Sequence, residues 1–205
     1  MADGIAGRLM QAPSPAIVLD DICRRFDWRE LFGNDNPVEL DLGAGDGGFA
    51  IAYAKQHPEI NLLAVERLLG RVRKIEKRAI RGGLTNVKVL RLEFGYTVKY
   101  LLPPDSISVA HIMFPDPWPK RRHWPRRLMQ PPFVRDLAAA LKSDGELRFT
   151  TDHAHYFETA QEAVAEANVL KRAPEWDWSQ DPKTDFQLTF DAEGRATNRA
   201  RWVKT

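Results

Sequence analysis

A chain of 205 residues has room for one well-packed domain and too little left over for a second full core. An apolar share of 43% beside 28% charged residues excludes a disordered chain, and a lone cysteine, Cys23, excludes an internal disulfide and fits a reducing cytoplasm. The net charge of +2 does not by itself point to nucleic acid, and no stretch reads as a secretory leader or reaches the roughly 18 to 20 apolar residues of a membrane span.

Residues 1–36 carry only a weakly amphipathic helical stretch around Ile17 to Phe26 and are expected to form an N-terminal arm or helix ahead of a single globular unit, residues 37–205. Pro37 to Leu42 reads as a strand running into glycines, and Phe49 to Gln56 as a helix closed by His57-Pro58. Asn61 to Val65 is a second strand, followed by a helix from Arg67 to Arg81 that stops at Gly82-Gly83, where a missing Cβ permits the left-handed cap. Val87 to Leu90, Ile107 to Met113, Glu146 to Thr151 and Arg199 to Lys204 read as further strands, with helices at Phe133 to Leu141 and Tyr156 to Ala167. Strands alternating with helices imply a parallel sheet covered on both faces, and ligands of such sheets bind beyond the carboxyl ends of the strands.

The first strand ends in Gly43-Ala44-Gly45-Asp46-Gly47-Gly48, and the second in Glu66. This satisfies the dinucleotide fingerprint, in which a pyrophosphate sits on the glycine turn and the acid holds a ribose. Charge argues for another cofactor. Carboxylates at Asp41 and Asp46 repel a pyrophosphate unless they point away, whereas S-adenosylmethionine brings an ammonium and a sulfonium that a carboxylate at a strand end attracts. Glu66 suits two vicinal ribose hydroxyls, with Arg67 beside it on the same cofactor-facing turn. Glu93, just past the third strand, is placed to accept from an adenine amine, with Phe94 or Leu68 as a stacking surface. Taken singly, each acid reads equally well as an exposed turn residue; three at the ends of three successive strands favour the adenosyl cofactor.

Phe114-Pro115-Asp116-Pro117-Trp118-Pro119-Lys120 leaves the fourth strand. Prolines on both sides of Asp116 restrict the backbone and hold one carboxylate at the mouth of the strand with little loop entropy; the alternative is a rigid turn with a capping aspartate. The segment Lys120 to Arg127 then carries five permanent cations and no acid, with Trp124 and Pro125 among them. Such a run can hold phosphates while His123 or Trp124 stacks on an unpaired base. The second basic run, Arg67 to Arg81, reads as a solvated helix face. His111 lies within an apolar strand and reads as a buried, satisfied side chain, and no metal-ligand spacing is present, so no metal is expected.

The Phe114 to Lys120 heptapeptide, followed by Arg121-Arg122-His123 and Arg126-Arg127, resembles the signature of the tRNA guanine-N7 methyltransferases. The resemblance runs from about Val38 to the C-terminus, through Asp41, Gly43, Gly45, Glu66, Glu93, Thr151-Asp152 and Thr184 to Gln187. It implies a doubly wound, mostly parallel, seven-stranded Rossmann-like methyltransferase sheet with helices on both faces. It also implies S-adenosylmethionine as donor and a variable-loop guanosine of tRNA as acceptor; the chain itself leaves monomer and homodimer open and shows no need of a second kind of subunit. Asp41, Glu66, Glu93 and Asp116 fall on cofactor-contacting positions, Asp116 doubling as catalytic candidate. Lys120, Asp152, Thr184, Asp185, Phe186 and Gln187 fall on substrate positions, and Arg121 and Arg122 belong to the expected phosphate-binding loop. This chain departs from the pattern at Asp41, where the family usually has Glu, at Asp185, where it has a basic residue, at Gln187, where it has Glu, and at Trp124-Pro125, where it tends to have polar or basic residues.

Guanine N7 offers a lone pair and no proton, so attack on a sulfonium methyl needs no general base; positioning and electrostatics must supply the rate. A carboxylate beside the base, assigned to Asp116, stabilises the positive charge that the purine acquires. N7 must stay free, so acceptors at Asp116, Asp152 and Gln187 should read N1–H and the exocyclic amine. Three readings compete: an amino-group methyltransferase of adenine or cytosine, suggested by Asp116-Pro117-Trp118, a weakened RNA-binding relative, and a dinucleotide dehydrogenase.

Overall fold

The computed structural model describes residues 14–174 and 176–205; the first part of the expected N-terminal arm, residues 1–13, lies outside the described residues. A two-residue strand, β1 (Ala16–Ile17), is followed by a short helix, α1 (Trp28–Phe32), capped by Asp27, whose side chain accepts from the Glu30 amide. Then come β2 (Val38–Leu42), α2 (Gly48–Gln56), β3 (Asn61–Glu66), α3 (Leu69–Arg81) and β4 (Val87–Arg91). A single turn, α4 (Phe94–Tyr96), runs through a π-helical turn at Thr97–Leu101 to β5 (Ile107–Met113). A 3-10 segment at Arg121–Arg126 precedes α5 (Pro131–Ala140), β6 (Leu141–Thr151), α6 (Ala154–Ala167), β7 (Leu170–Arg172), α7 (Asp185–Ala192) and β8 (Asn198–Lys204).

The strands form one sheet in the order β1-β4-β3-β2-β5-β6-β8-β7, parallel except for β8, which is antiparallel to both its neighbours. Seven strands make the expected doubly wound sheet, and β1 adds an eighth at its margin. β2 and β3 are buried at every position because both faces are covered; the middle of β3 accordingly reads as an unbroken apolar run, whereas β2 alternates Val38, Leu40 and Leu42 with the buried acids Glu39 and Asp41. Leu40, Leu42, Leu63 and Val65 face α5 and α6 on one side, while Leu62, Ala64, Val87 and Val89 meet Phe49, Tyr53, Val72 and Ile75 of α2 and α3 on the other. Each fully buried aliphatic side chain contributes roughly 1.5–3 kcal/mol. Helix α3 buries Val72, Ile75 and Ala79 at helical spacing, and its chain turns away at Gly83 with φ +63°.

Several elements differ from expectation. The stretch around Ile17 to Phe26 is not helical: Ala16 and Ile17 pair with Val89 and Leu90, because a sheet edge with free backbone groups is a better partner for this short apolar piece than an unsupported helix. Leu141 begins β6 instead of closing α5. The short strand β7 and the helix α7 were not anticipated.

The strand order reverses at β2, which has β3 on one side and β5 on the other. The carboxyl ends of β2 and β5, at Leu42 and Met113, therefore open a crevice in which such sheets hold ligands.

Candidate active site

The turn leaving β2 is built from left-handed backbone: Gly43, Gly45 and Gly47 have φ of +91°, +56° and +80°. At Gly47 a Cβ would also lie 2.6 Å from the Ile75 side chain, so this position excludes any other residue without movement of α3. Cations of α3 pin the turn from outside. Lys74 Nζ donates to Asp46 Oδ2 at 2.7 Å, Arg78 donates to the Asp46 carbonyl at 2.7 Å, and Arg71 lies 3.8 Å from the Asp46 carboxylate. The Lys74 hydrogen bond is the largest cause holding the Asp46 carboxyl below its usual range. Part of the second basic run is thus structural rather than a free solvated face, and Asp46 is engaged by α3 rather than aimed at a ligand.

Asp41 behaves differently. It is 2% exposed, and its Oδ2 has no hydrogen-bond partner among the described residues. Burial first, and then the charge of Glu66, push its pKa up to about 7. A buried carboxylate oxygen without a donor is costly in an isolated protein and is what a cationic ligand would satisfy.

Glu66 is also buried, but its carboxylate is folded into the turn. Oε2 accepts from the Gly45 amide at 3.0 Å, and Oε1 accepts from the amides of Arg67 and Leu68 at 2.7 and 2.9 Å. The Arg67 side chain is exposed. Arg71, which the sequence assigned to a solvated face, reaches to 3.7 Å from Glu66 Oε2 and lines the cleft. Glu93 is an exposed helix cap whose Oε2 accepts from the Tyr96 amide at 2.7 Å, and the Phe94 ring edge lies 3.8 Å from the point where a Cβ on Gly43 would sit. Phe94 therefore walls the glycine turn.

The cleft beyond β2 and β5 is lined by Asp41, Gly43 to Asp46, Gly48, Phe49, Arg71, Met113, Thr184, Asp185, Phe186 and Thr189. Helix α7 roofs it. Thr184 caps α7, its hydroxyl accepting from the Gln187 amide at 3.0 Å. Asp185 places its carboxylate against Gly48, 2.8 Å from where a Cβ would stand, so it belongs to the same cleft as Asp41. Phe186 is half exposed, whereas Gln187 is buried. Asp152 forms an ion pair with Arg195, which itself stacks 4.0 Å from the Phe190 ring.

Asp116 is exposed in the loop after β5. On either side of it, Phe114 and Trp118 adopt φ of +49° and +43°, a region that bulky residues rarely occupy. Ring contacts hold both: Phe114 meets Phe190 of α7 edge-on at 5.4 Å, and Trp118 meets His123 at 5.7 Å.

Lys120, Arg121, Arg122 and Arg126 are exposed, as a phosphate-binding loop requires. Arg127 is not: it is 3% exposed and lies against the rings of Trp124 and Tyr156. The free indole expected of Trp124 is instead packed edge-on against His155 at 4.4 Å. His111 is buried and bonded to Glu39 at 2.8 Å between the rings of Phe49 and Tyr53, as the sequence suggested. Among the described residues no group of three metal-ligating side chains occurs, and no helix is long and apolar enough to cross a membrane.

Sequence alone did not single out Gly48, Phe49, Met113 or Thr189 as cleft residues. The one usable signal was for α7, where Thr184 followed by Gln187 has the spacing of a helix-capping box.

A family model described as putative methyltransferase matches residues 35–204. A tRNA (guanine-N(7)-)-methyltransferase of Listeria monocytogenes is 33% identical over 82% of this chain and 80% of its own length. One from Rhodococcus jostii is 34% identical over 93% and 74%. The one from Thermus thermophilus is 32% identical over 86% of this chain, which spans only 57% of that longer relative. Among solved structures, the 16S rRNA methyltransferase KamB superposes with a TM-score of 0.62 at 18% identity, covering 87% of this chain and 91% of that one, and so shares the fold.

Proposed function

Because the chain belongs to the tRNA (guanine-N(7)-)-methyltransferase family, we propose that it moves a methyl group from S-adenosylmethionine to N7 of a variable-loop guanosine in tRNA. The observation that carries this reading is the buried oxygen of Asp41, unpartnered among the described residues, in a cleft shared with Asp185 and with the charge of Glu66 close by. That donor set fits a ligand with positive charge and opposes a pyrophosphate, which disfavours the dinucleotide reading.

Asp41 would accept from the ammonium of the donor, the Gly43 to Gly45 turn would let its backbone approach closely, and Glu66 would use its remaining lone pairs for ribose hydroxyls. Glu93 and Phe94 would border the adenine. When bound, the cofactor supplies an electrophilic methyl on a sulfonium. The protein's task is then to aim N7 at that methyl and to accommodate the positive charge that moves onto the purine, the role given to Asp116. Gln187 and Asp152 are the acceptors offered to the N1–H and exocyclic amine, with Thr184 and Phe186 alongside. Lys120, Arg121 and Arg122 supply phosphate contacts. In this reading the enzyme works in the cytoplasm, as monomer or homodimer.

The test is to incubate the purified protein with bulk tRNA and labelled methyl donor and to identify the modified nucleoside. N7-methylguanosine is expected. A methylated exocyclic amine of adenine or cytosine would replace this reading with the amino-group one, and failure to bind the donor would leave an RNA-binding relative.

A further inference from the structure

Among the described residues, Arg127 is a buried cation that no acid compensates. Its side chain is 3% exposed and has no carboxylate within ion-pair distance among the described residues. Instead, Nε donates to the Pro117 carbonyl at 2.9 Å, one terminal nitrogen donates to the Thr159 hydroxyl at 2.7 Å, and the other is buried without an acceptor. The guanidinium lies 5.1 Å from the Trp124 ring centre and 4.8 Å from that of Tyr156. Leaving water for two aromatic faces and two neutral oxygens is a poor exchange for a full charge, so a purely structural site would be as well served by an apolar residue.

What the guanidinium holds is the loop. Pro117 follows Asp116 directly, and the loop is poised in an unfavourable backbone conformation at Phe114 and Trp118. Tyr156 feels both charges: burial is the largest cause of its pKa rising to about 12, Arg127 opposing and Asp116 adding to the rise. The Tyr156 hydroxyl thus senses both the carboxylate and the buried cation, and itself accepts from the Met129 amide at 3.2 Å.

We propose that Arg127 is a positioning residue for methyl transfer: by gripping the Pro117 carbonyl from below, it fixes the direction of the Asp116 carboxylate. This rests on the reading of Asp116 as the group facing the base. It also separates Arg127 from its neighbours Arg121, Arg122 and Arg126, which are exposed and free to meet phosphate.

The experiment compares Arg127→Lys and Thr159→Val, each alone and combined with Asp116→Asn. It measures kcat and KM for tRNA per donor-binding site, with sites counted by donor titration so that unfolded protein drops out. A displacement of about 1 Å costs on the order of 100-fold in rate. Arg127→Lys should therefore lower kcat about tenfold or more with KM within about twofold. Thr159→Val should give a smaller loss of the same kind, and neither should lose anything further in the Asp116→Asn background. The salt dependence of tRNA binding should not change. An unaltered kcat per site in both variants overturns the proposal, as does a raised KM with a shallower salt slope, which marks a phosphate contact. Full additivity with Asp116→Asn also overturns it. If Asp116→Asn alone keeps full turnover, the role of Asp116 has failed and Arg127 falls with it; if Asp116→Asn loses turnover while the Arg127 and Thr159 variants do not, only the positioning role has failed.

Discussion

Replacing Asp41 with Asn should weaken donor binding and remove its dependence on pH. In the free protein, burial and then the Glu66 charge raise the Asp41 pKa from 3.8 to about 7. A cationic donor needs the ionised form, and with a pKa near 7 roughly half the protein is ionised at pH 7 but only about one-tenth at pH 6. Affinity should thus fall about fivefold over that single unit, with roughly 0.9 proton released per donor bound at pH 6. Asn keeps an acceptor but no charge; exchanging a charged for a neutral hydrogen bond costs about 1–2 kcal/mol, or about tenfold at pH 7. Isothermal titration calorimetry in two buffers of unlike ionisation enthalpy counts the proton directly. The same raised pKa bears on stability. At about 1.4 kcal/mol per pH unit, it represents on the order of 4 kcal/mol that is fully present below pH 3.8 and is lost as the pH rises through 7. At pH 8 the Asn variant, without donor, should melt several degrees above the parent. A donor affinity that follows pH identically in parent and variant, or binding with no proton release at pH 6, would refute the assignment of Asp41 to the donor.

Gly47→Ala should cost about 2 kcal/mol or more, since it combines a φ of +80° with a Cβ 2.6 Å from Ile75; a drop in melting temperature together with weaker donor binding is the expected result. His111→Leu removes the buried partner of Glu39 and should destabilise the protein by about 3–5 kcal/mol, read by denaturant unfolding. Arg122→Ala should lower the slope of log affinity for tRNA against log salt by about 0.7–0.9, whatever the tRNA sequence; an unchanged slope would mean that this exposed cation meets solvent only.

The parallel strands were legible from their apolar residues, continuous in the middle of β3 and at every second position of β2, and both were found to within a residue. The glycine turn was legible too, since three left-handed residues in six positions leave few side chains eligible. Helix α7 was missed because it buries only Gln187 and exposes Phe186 and Leu188, so its composition shows no apolar stripe; its packing over the cleft, not its own pattern, decides its place. Arg71 and Arg127 were misjudged for a related reason. A cation in a basic run carries no mark of whether a neighbour some 25 to 32 positions away will claim it, as Asp46, Thr159 and Tyr156 do. The four acids expected at the cofactor fare unequally: Asp41 and Glu66 converge at the glycine turn, Glu93 caps α4, and Asp116 stands exposed beyond β5.

A final consequence follows from β1. Along the outer side of β4, the Val89 amide donates to the Pro15 carbonyl at 2.8 Å, and only two residues pair before the chain departs. The proline has no amide proton to offer, and so short a selvedge gives a second molecule little length on which to stack. A few residues of unremarkable sequence thereby keep the adenosyl-facing half of the sheet from templating fibres, a safeguard that trimming the chain back past Ile17 would remove.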